Sequence, residues 1–358
     1  MKFYYKMKIL HFAIEDYSRI PGTLVREERR AGHDSTLIVL TEGIKAYGQY
    51  DYKLSLPFVG TSPVVRLRNA LYADHQKIDN QRRDQARIWE ARGLPQKLFF
   101  NMRDALWRPK VKDFLKRIDW LNYDVLILDG GAGFLRNGHF VQRFRDAGKK
   151  TACIYYGSDF RTRGRIPVID DGSGQARFTF EFDHTLLDAG LTFLYFPYRP
   201  PENIQRLPVR GNQLRIGHAP TNRAAKGSER IIAALKHLAR KYPIEIVLIE
   251  NRPFEEAMRL KAGCDLFIDQ IGELGYGVNS LEALAMGIPV AVELKPDFDA
   301  FLQPHPFLNI HGATLEADLE KWLNDRPALT ASGGSGPSWV AERHNPARIS
   351  AQILQKLD

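Results

Sequence analysis

Cysteine is nearly absent from this sequence, which has only Cys153 and Cys264 in 358 residues. Each lies in an apolar run and no CxxC pair occurs, so neither a disulfide framework nor a thiolate metal site is expected. We predict two buried thiols in a reducing, cytoplasmic setting. The apolar runs also fall short of the roughly 18 residues that span a bilayer, and MKFYYKMKIL has no secretory pattern.

The nucleotide and metal motifs of several enzyme classes are missing. A dinucleotide-binding fingerprint is incomplete, because Arg136 stands where a third glycine should follow Gly131 and Gly133. RAAKGS (223–228) has its lysine before its glycine, unlike a P-loop. HExxH and clustered His or Cys ligands are absent, so no metal site is expected. DFD (297–299) matches the DxD of metal-bound nucleotide sugars, but a helix start or loop is favoured.

Acidic residues are fewer than basic ones, 42 against 51, which gives a net charge of +9. The excess is concentrated in residues 66–117. Such a region fits a phosphate-bearing partner, an anionic membrane surface or a solvated helical face. Its few aromatic residues argue against nucleic acid, because single-strand binders combine basic with aromatic side chains. We therefore expect no nucleic-acid partner and keep peripheral membrane contact through this region as an open alternative.

Short apolar runs alternate with amphipathic segments in the first half of the chain. Residues 62–118 have a helical period, with breaks expected at 93–95 and at Pro109. Fully apolar strands separated by helices indicate a parallel sheet that is covered on both faces. The predicted strands are 8–14, 35–40, 124–130 and 151–156, and the predicted helices are 23–32 and 138–148.

The alternation resumes after a proline-rich stretch, 195–213. The predicted strands are 214–219, 244–249, 264–269 and 289–294, and the predicted helices are 227–242, 253–263, 314–324 and about 345–357, with a short helix after residue 275. In the helix at 227–242, Ile231, Ala234, Leu235 and Leu238 form one apolar face. We predict an α/β protein with domains at 1–198 and 214–340, a linker at 199–213 and a terminal helical segment at 341–358. Ligands of such sheets lie at the carboxyl ends of strands, often between domains.

The loop HAPTNRAAKGSER (218–230) follows a predicted strand and begins a helix. Arg223 and Lys226 lie three residues apart, just before Gly227 and Ser228 at the helix entry. Helix amides together with two cations would suit a diphosphate. An ordinary surface loop with solvated cations explains the composition equally well.

The stretch GYGVNSLEALAMGIPVAV (275–292) has two interpretations. In the local one, Asn279 is a helix N-cap, Glu282 completes a capping box and Gly287 ends the helix. In the other, the glycine-rich loop before it lets the backbone approach a ligand closely. YYGSDFR (155–161) also has two interpretations. Asp159 has a functional role, in which it binds sugar hydroxyls or orients Arg161, or it only forms an Asx turn.

These segments, in this order, resemble the nucleotide-sugar-dependent glycosyltransferases of the GT-B fold, and in particular the retaining glycosyltransferase family 4. HAPTNRAAKGSERIIAAL, CDLFIDQI and GYGVNSLEALAMGIPVAV are similar in order and spacing, and MKILHF, AGHDSTLIVL and YYGSDFR are similar more weakly. The resemblance implies two Rossmann-like domains whose parallel sheets face a central cleft, with residues 341–358 packing back on the first. It also implies hexosyl or related glycosyl transfer with retention of configuration, from a UDP- or GDP-type donor as cosubstrate, without a metal or other cofactor.

By this resemblance the second domain binds the donor, and the first binds a glycan or lipid-linked acceptor. Lys226, helped by Arg223, would contact the diphosphate, and Glu282 would hold the ribose. Asp159 is the third candidate catalytic residue. The further donor-binding candidates are Gly22, Gly157, Ser158, Thr221, Gly275, Tyr276, Gly277, Val278, Asn279 and Ser280. The resemblance also implies a cytoplasmic enzyme that acts in cell-surface polysaccharide biosynthesis at the inner face of a membrane.

Two positions depart from the family pattern. Leu274 occupies the place of the first glutamate of the paired-glutamate motif, and Glu273 is one position out of register. Tyr156 stands where relatives often carry histidine. The sequence therefore predicts a residue that binds the ribose of the donor, but it does not clearly predict one that binds the donor sugar. A GT-B epimerase or phosphorylase, and a non-catalytic basic nucleic-acid-binding protein, remain as alternatives, although no signature of either kind is clear.

Overall fold

The computed structural model describes residues 6–42, 49–57, 59, 86–91, 93–157, 159–172, 174–201, 205–207, 213–272 and 275–357. The chain divides into two compact units. The first unit comprises Met1–Pro197 and Pro346–Asp358, and the second unit comprises Tyr198–Asn345. This division places the described residues of the proline-rich stretch 199–213 in the second unit and the last helix in the first.

The first unit contains a seven-stranded sheet in the order β3-β2-β1-β4-β5-β6-β7, with all neighbouring strands parallel. Its strands are β1 (Lys8–Ala13), β2 (Asp34–Val39), β3 (Tyr52–Lys53), β4 (Val125–Asp129), β5 (Lys150–Tyr155), β6 (Ala176–Thr179) and β7 (Thr192–Phe193). Its helices are α1 (Ile20–Arg30), α2 (Gly93–Arg117), α3 (His139–Asp146), α4 (Phe182–Leu187) and α12 (Pro346–Leu357).

The apolar residues of the central strands serve two cores, because successive side chains of a strand point to opposite faces of the sheet. Leu126 and Cys153 belong to the core on one face, and Val125 and Ile154 to the core on the other. Helix α12 contributes Ile353 to the second of these cores. This explains why apolar residues predominate in β1, β4 and β5.

The second unit contains a five-stranded parallel sheet in the order β12-β11-β10-β8-β9. Its strands are β8 (Leu214–His218), β9 (Ile244–Leu248), β10 (Leu266–Ile268), β11 (Val290–Val292) and β12 (Leu308–Asn309). Its helices are α5 (Arg223–Lys226), α6 (Ser228–Leu238), α7 (Phe254–Ala262), α8 (Val278–Ala285), α9 (Pro296–Leu302), α10 (Leu315–Asn324) and α11 (Arg326–Arg343). Ile231, Leu235 and Leu238 of α6 are fully buried, which confirms the predicted apolar face.

The predicted α/β class with parallel sheets is confirmed, and both cysteines are buried as expected. The predicted break at Pro109 is wrong, because α2 continues through it. Val111, Phe114 and Leu115 are buried after the proline, so tertiary packing outweighs the lost backbone hydrogen bond. Most of the helical pattern predicted before residue 93 lies outside the described residues. None of the helices that the structure describes is both long and apolar enough to cross a membrane.

Helix α11 was not among the predicted elements, and it contains SGGSGP (332–337), whose residues other than serine are glycines and a proline. In the structure two of its glycines let α11 lie directly against α8. A Cβ on Gly336 would be 2.6 Å from the carbonyl oxygen of Leu284, and one on Gly333 would be 2.6 Å from that of Gly287. These glycines therefore permit close backbone packing and do not break the helix.

Candidate functional site

His218 fixes the start of the loop that follows β8. Its Nδ1 lies 2.8 Å from the carbonyl oxygen of Ile268, and its Nε2 lies 2.8 Å from Ser228 Oγ. Because a carbonyl oxygen only accepts, Nδ1 carries the proton and the Ser228 hydroxyl donates to Nε2. Burial lowers the pKa of His218 and keeps the ring neutral. The neutral imidazole therefore joins β8, β10 and the first turn of α6.

The loop from Ala219 to Gly227 is shaped by local caps. Asn222 caps α5 by accepting a hydrogen bond from the amide of Ala225 at 3.1 Å. Gly227 has φ +66°, and a Cβ there would lie 2.4 Å from Ile271, so only glycine fits. The amide of Ile271 donates to the carbonyl oxygen of Lys226 at 3.2 Å, which holds this loop at the end of β10. Thr221 is exposed on the same loop.

Lys226 is held by the residues that follow β10. Its Nζ lies 3.2 Å from Asp269 Oδ1 and also donates to Gln270 Oε1. The buried Asp269 accepts two further bonds at Oδ2, from the amide of Gly277 at 2.7 Å and from Ser280 Oγ at 2.6 Å. Burial acts to raise the pKa of Asp269, but Lys226 and these two bonds outweigh it and lower this pKa. Lys226 and Asp269 thus form an ion pair at neutral pH.

Arg223 does not share the partners of Lys226. Its guanidinium binds both carboxylate oxygens of Glu250, at 2.7 and 2.8 Å, and Glu229 at 2.8 Å. Its side chain is partly exposed. The structure therefore places Arg223 in an ion-pair cluster on the exposed side of this loop.

The local interpretation of Asn279 and Glu282 as a capping box is wrong. Helix α8 begins at Val278, with Gly277 in extended conformation as its N-cap. The Asn279 side chain instead donates to the carbonyl oxygen of Ala219 at 2.8 Å and accepts from Lys261 Nζ at 2.9 Å. Distant partners therefore outcompete the local cap. The amide of Ser280 donates to the carbonyl oxygen of Gly277 at 3.0 Å. The amides of Val278 and Asn279 come before this bond, in the first turn of α8.

Glu282 pairs with the same buried lysine. The ammonium of Lys261 donates to Glu282 Oε2 and lies 4.9 Å from the ring centroid of Phe267. The Lys261 side chain is only 2 % exposed and that of Glu282 only 13 %. Burial, and then the charge of Glu282, raise the pKa of Tyr198, whose hydroxyl has no hydrogen-bond partner among the described residues. Glu282 thus has a fixed carboxylate beside a buried phenol.

Tyr276 belongs to an aromatic cluster. Its ring is parallel to that of Phe298 at 5.8 Å, its centroid is 4.6 Å from that of Phe307, and its hydroxyl lies 3.0 Å from His344 Nε2. A Cβ on Gly275 would lie 2.6 Å from the Phe298 ring, so glycine is required there too. DFD (297–299) lies at the start of α9, which confirms the favoured helix-start interpretation.

The first-unit candidates lie at the carboxyl ends of β1 and β5. Gly22, in α1, donates its amide to Asp16 Oδ1 at 2.9 Å, and a Cβ there would lie 2.8 Å from Asp16 Oδ2. Gly157 donates to Glu181 Oε1 at 3.2 Å and has φ +58°. Asp159 Oδ2 lies 2.9 Å from where a Cβ on Gly130 would be.

The carboxylates that hold Arg161 are Asp183, at 2.5 Å, and Glu181, at 2.7 Å. Tyr156 is buried and stacks on Tyr17, with ring centroids 5.7 Å apart. Ser158, Glu273 and Leu274 lie outside the described residues.

Several buried polar residues in the two units were not singled out from the sequence. They are His11, Asp16, Glu28, Asp129, Lys261 and Asp269. The available signal was a charged or titratable residue inside an apolar run, as in KILHFAI, DVLILDG and CDLFID, because such groups are buried only with partners. Within the described residues, no group of three or more His, Cys, Asp or Glu side chains is arranged to hold a metal ion.

No protein-family model and no curated protein sequence matches the chain. Solved structures do match over nearly its full length. They include a sucrose-phosphate synthase from Thermosynechococcus elongatus (12% identity, TM-score 0.61, 98% of both chains) and HepE from Anabaena in complex with UDP-glucose (12%, 0.57, 98% of this chain and 99% of that one). Another is a spinosyn rhamnosyltransferase in complex with thymidine diphosphate (12%, 0.51, 97% and 100%). At such identity the likeness shows the fold alone, which is the GT-B fold of glycosyltransferases.

Proposed function

We propose that this protein is a glycosyltransferase that moves a sugar from a nucleoside-diphosphate donor to a glycan or lipid-linked acceptor. One observation carries the donor assignment. A Cβ on Gly277 would lie 3.2 Å from Lys226 Nζ, so the ammonium lies against the N-terminus of α8. A cation and a helix N-terminus at the ends of adjacent parallel strands attract the same ligand, an anion.

In this proposal Lys226 and the first-turn amides of α8 bind the diphosphate. Asp269 keeps the ammonium at the helix N-terminus before the donor arrives, which limits reorganisation during the reaction. When the glycosidic bond to the diphosphate breaks, negative charge grows on the phosphate, and Lys226 stabilises it. Glu282, held by Lys261, accepts hydrogen bonds from ribose hydroxyls. Retention of configuration is part of the proposal and rests on the resemblance to family 4. The proposed site uses no metal ion, because the positive charge comes from the protein.

Nucleotide binding tests the donor site. We would measure dissociation constants for UDP, GDP, TDP and ADP, and for the sugar nucleotide of the best binder, by calorimetry. Lys226→Ala and Glu282→Gln should each weaken binding by tenfold or more. Lys236→Ala, an exposed lysine of the neighbouring helix α6, is the matched control and should bind as wild type. The donor assignment fails if wild type binds no nucleotide, or if Lys226→Ala binds as well as wild type.

We also propose that α2 contacts an anionic membrane. Apolar side chains that are half or more exposed lie on one side of this helix, opposite its buried face: Leu94, Leu98, Phe99, Met102 and Leu106. Further along the same helix Lys110, Lys112 and Lys116 are exposed. Apolar and basic side chains together favour a surface of anionic lipid.

Vesicle sedimentation tests this contact, with phosphatidylglycerol vesicles compared with phosphatidylcholine vesicles. Leu98→Ser combined with Met102→Ser should reduce binding to the anionic vesicles several-fold and leave nucleotide binding unchanged. Equal binding to both vesicle types, or no effect of the double variant, would contradict the proposed contact.

A further inference from the structure

A chain of buried polar groups crosses the first unit from α1 to the end of β4. Glu28 accepts a hydrogen bond from Ser35 Oγ at 2.5 Å, and both of its oxygens lie 3.1 Å from His11 Nε2. On the other side of the ring, His11 Nδ1 lies 2.9 Å from Asp129 Oδ2. All four residues are at most 1 % exposed. Because buried charged groups need partners, these residues must be considered together.

The imidazole of His11 is charged and donates in both directions. Burial acts to lower the pKa of His11, but the charges of Glu28 and Asp129 outweigh it and raise this pKa to about 10. A charged imidazole donates from both ring nitrogens. One donor binds Glu28 and the other binds Asp129, so the orientation of the Asp129 carboxylate is fixed by the ring.

This series of polar groups ends in a carboxylate oxygen, Asp129 Oδ1, that has no hydrogen-bond partner among the described residues. Asp129 is 1 % exposed and Asp16 is 4 % exposed. Asp129 Oδ1 and Asp16 Oδ2 are buried, and neither accepts a hydrogen bond from the described residues. Phe12 of β1 pairs with Leu128 of β4, so Asp129 and the loop that carries Asp16 leave the sheet side by side.

The carboxylates of Asp16 and Asp129 interact electrostatically with each other and with Tyr156. Burial raises the pKa of Asp16 to about 6, with the bond from Gly22 opposing the rise and the charge of Asp129 adding to it. Burial, then the charges of Asp129, Asp159 and Asp16, raise the pKa of Tyr156 well above its usual value. Asp16 and Asp129 therefore follow neighbouring strands at the carboxyl edge, where α/β sheets bind ligands, and each has one oxygen without a hydrogen bond from the described residues.

We infer that Asp16 and Asp129 bind hydroxyl groups of a carbohydrate acceptor, and that His11 and Glu28 are positioning residues that aim the Asp129 carboxylate. A sugar hydroxyl is neutral and supplies the hydrogen-bond donor that each oxygen lacks. A buried acceptor without a donor loses the full hydration of that atom, so donor-bearing ligands are favoured over apolar ones of the same shape. The inference rests on the proposed function, because it names the acceptor as the occupant.

Glycoside binding tests this site without requiring turnover. The probes are methyl glycosides of glucose, galactose, mannose and N-acetylglucosamine at millimolar concentration, with saturation-transfer NMR as the readout. Wild type should transfer saturation to at least one glycoside. Asp129→Asn and Asp16→Asn should reduce this signal by tenfold or more, because each replaces an accepting oxygen with an amide. Asp16→Asn retains an oxygen for the Gly22 amide, so it serves if Asp129→Asn does not fold.

Asp104→Asn is the matched control. Asp104 lies in the same unit and is 4 % exposed, and its oxygens bind Arg103 and the amide of Asn137. This variant should keep the wild-type glycoside signal. Nucleotide binding, measured in parallel, should be equal in wild type and the three variants. A failure of the donor assignment would appear in this second measurement and not in the glycoside signal. The inference is overturned if no glycoside binds wild type, if both site variants bind like wild type, or if Asp104→Asn loses the signal equally.

Discussion

Lys261 of α7 and Glu282 of α8 form a buried ion pair, and Lys261 Nζ also lies 2.9 Å from Asn279 Oδ1. Removing one member of a buried pair leaves the other charge without compensation, which typically costs about 3–5 kcal/mol. We therefore expect Lys261→Met and Glu282→Leu each to lower the free energy of unfolding strongly. The double variant should be less destabilised than the sum of the two changes. A urea double-mutant cycle measures this coupling, and additive effects would contradict a structural pair.

The position of Gly277 gives a prediction about the donor site. A Cβ there would lie 3.2 Å from Lys226 Nζ and 3.4 Å from Asp269 Oδ2, in a backbone conformation that alanine also adopts. Gly277→Ala should therefore weaken nucleotide binding about tenfold, or about 1.4 kcal/mol, while the melting temperature changes little. Calorimetry with the best nucleotide measures the effect. An unchanged affinity would show that the ligand does not approach Gly277.

The glycines of α11 allow a matched comparison. A Cβ on Gly336 would lie 2.6 Å from the Leu284 carbonyl oxygen, whereas one on Gly334 meets nothing within 4 Å. Gly334→Ala should stabilise the protein by up to about 1 kcal/mol, because alanine favours helix. Gly336→Ala should destabilise it by about 1–3 kcal/mol through overpacking. Urea unfolding measures both, and effects of equal sign would contradict the packing of α11 on α8.

Much of the fold follows from local patterns in the sequence. The central strands were predicted because a parallel sheet covered on both faces needs nearly continuous apolar runs, as in KILHFA and VLILD. The two-residue strands β3, β7 and β12 were not predicted, because they are too short to show a period. Helix α11 was missed because the benefit of its glycines depends on α8, which is distant in sequence.

The candidate site was predictable to a smaller extent. Lys226 was singled out from its loop, and its proximity to α8 is evident only in the folded chain. Asn279 shows why local rules fail here. A capping box needs only residues three apart, but the actual partners of Asn279 are Lys261 and Ala219, 18 and 60 residues away. The sequence pattern contains no information about such pairings.

The raised pKa of Asp16 predicts a specific dependence of stability on pH. An unfolded aspartate titrates near pH 3.9, about two units below the folded value of about 6. Between these values the folded state holds a proton that the unfolded state has lost, so stability falls as pH rises through this window. A shift of two units corresponds to about 3 kcal/mol.

Asp16→Asn removes this pH-dependent loss of stability, so the stability of the variant relative to wild type should increase from pH 4 to pH 7, by at most about 3 kcal/mol. Urea unfolding of both proteins at pH 4, 5, 6 and 7 measures the difference, with Asp104→Asn as the control for loss of a buried carboxylate. A difference that stays constant across this range would contradict the raised pKa of Asp16.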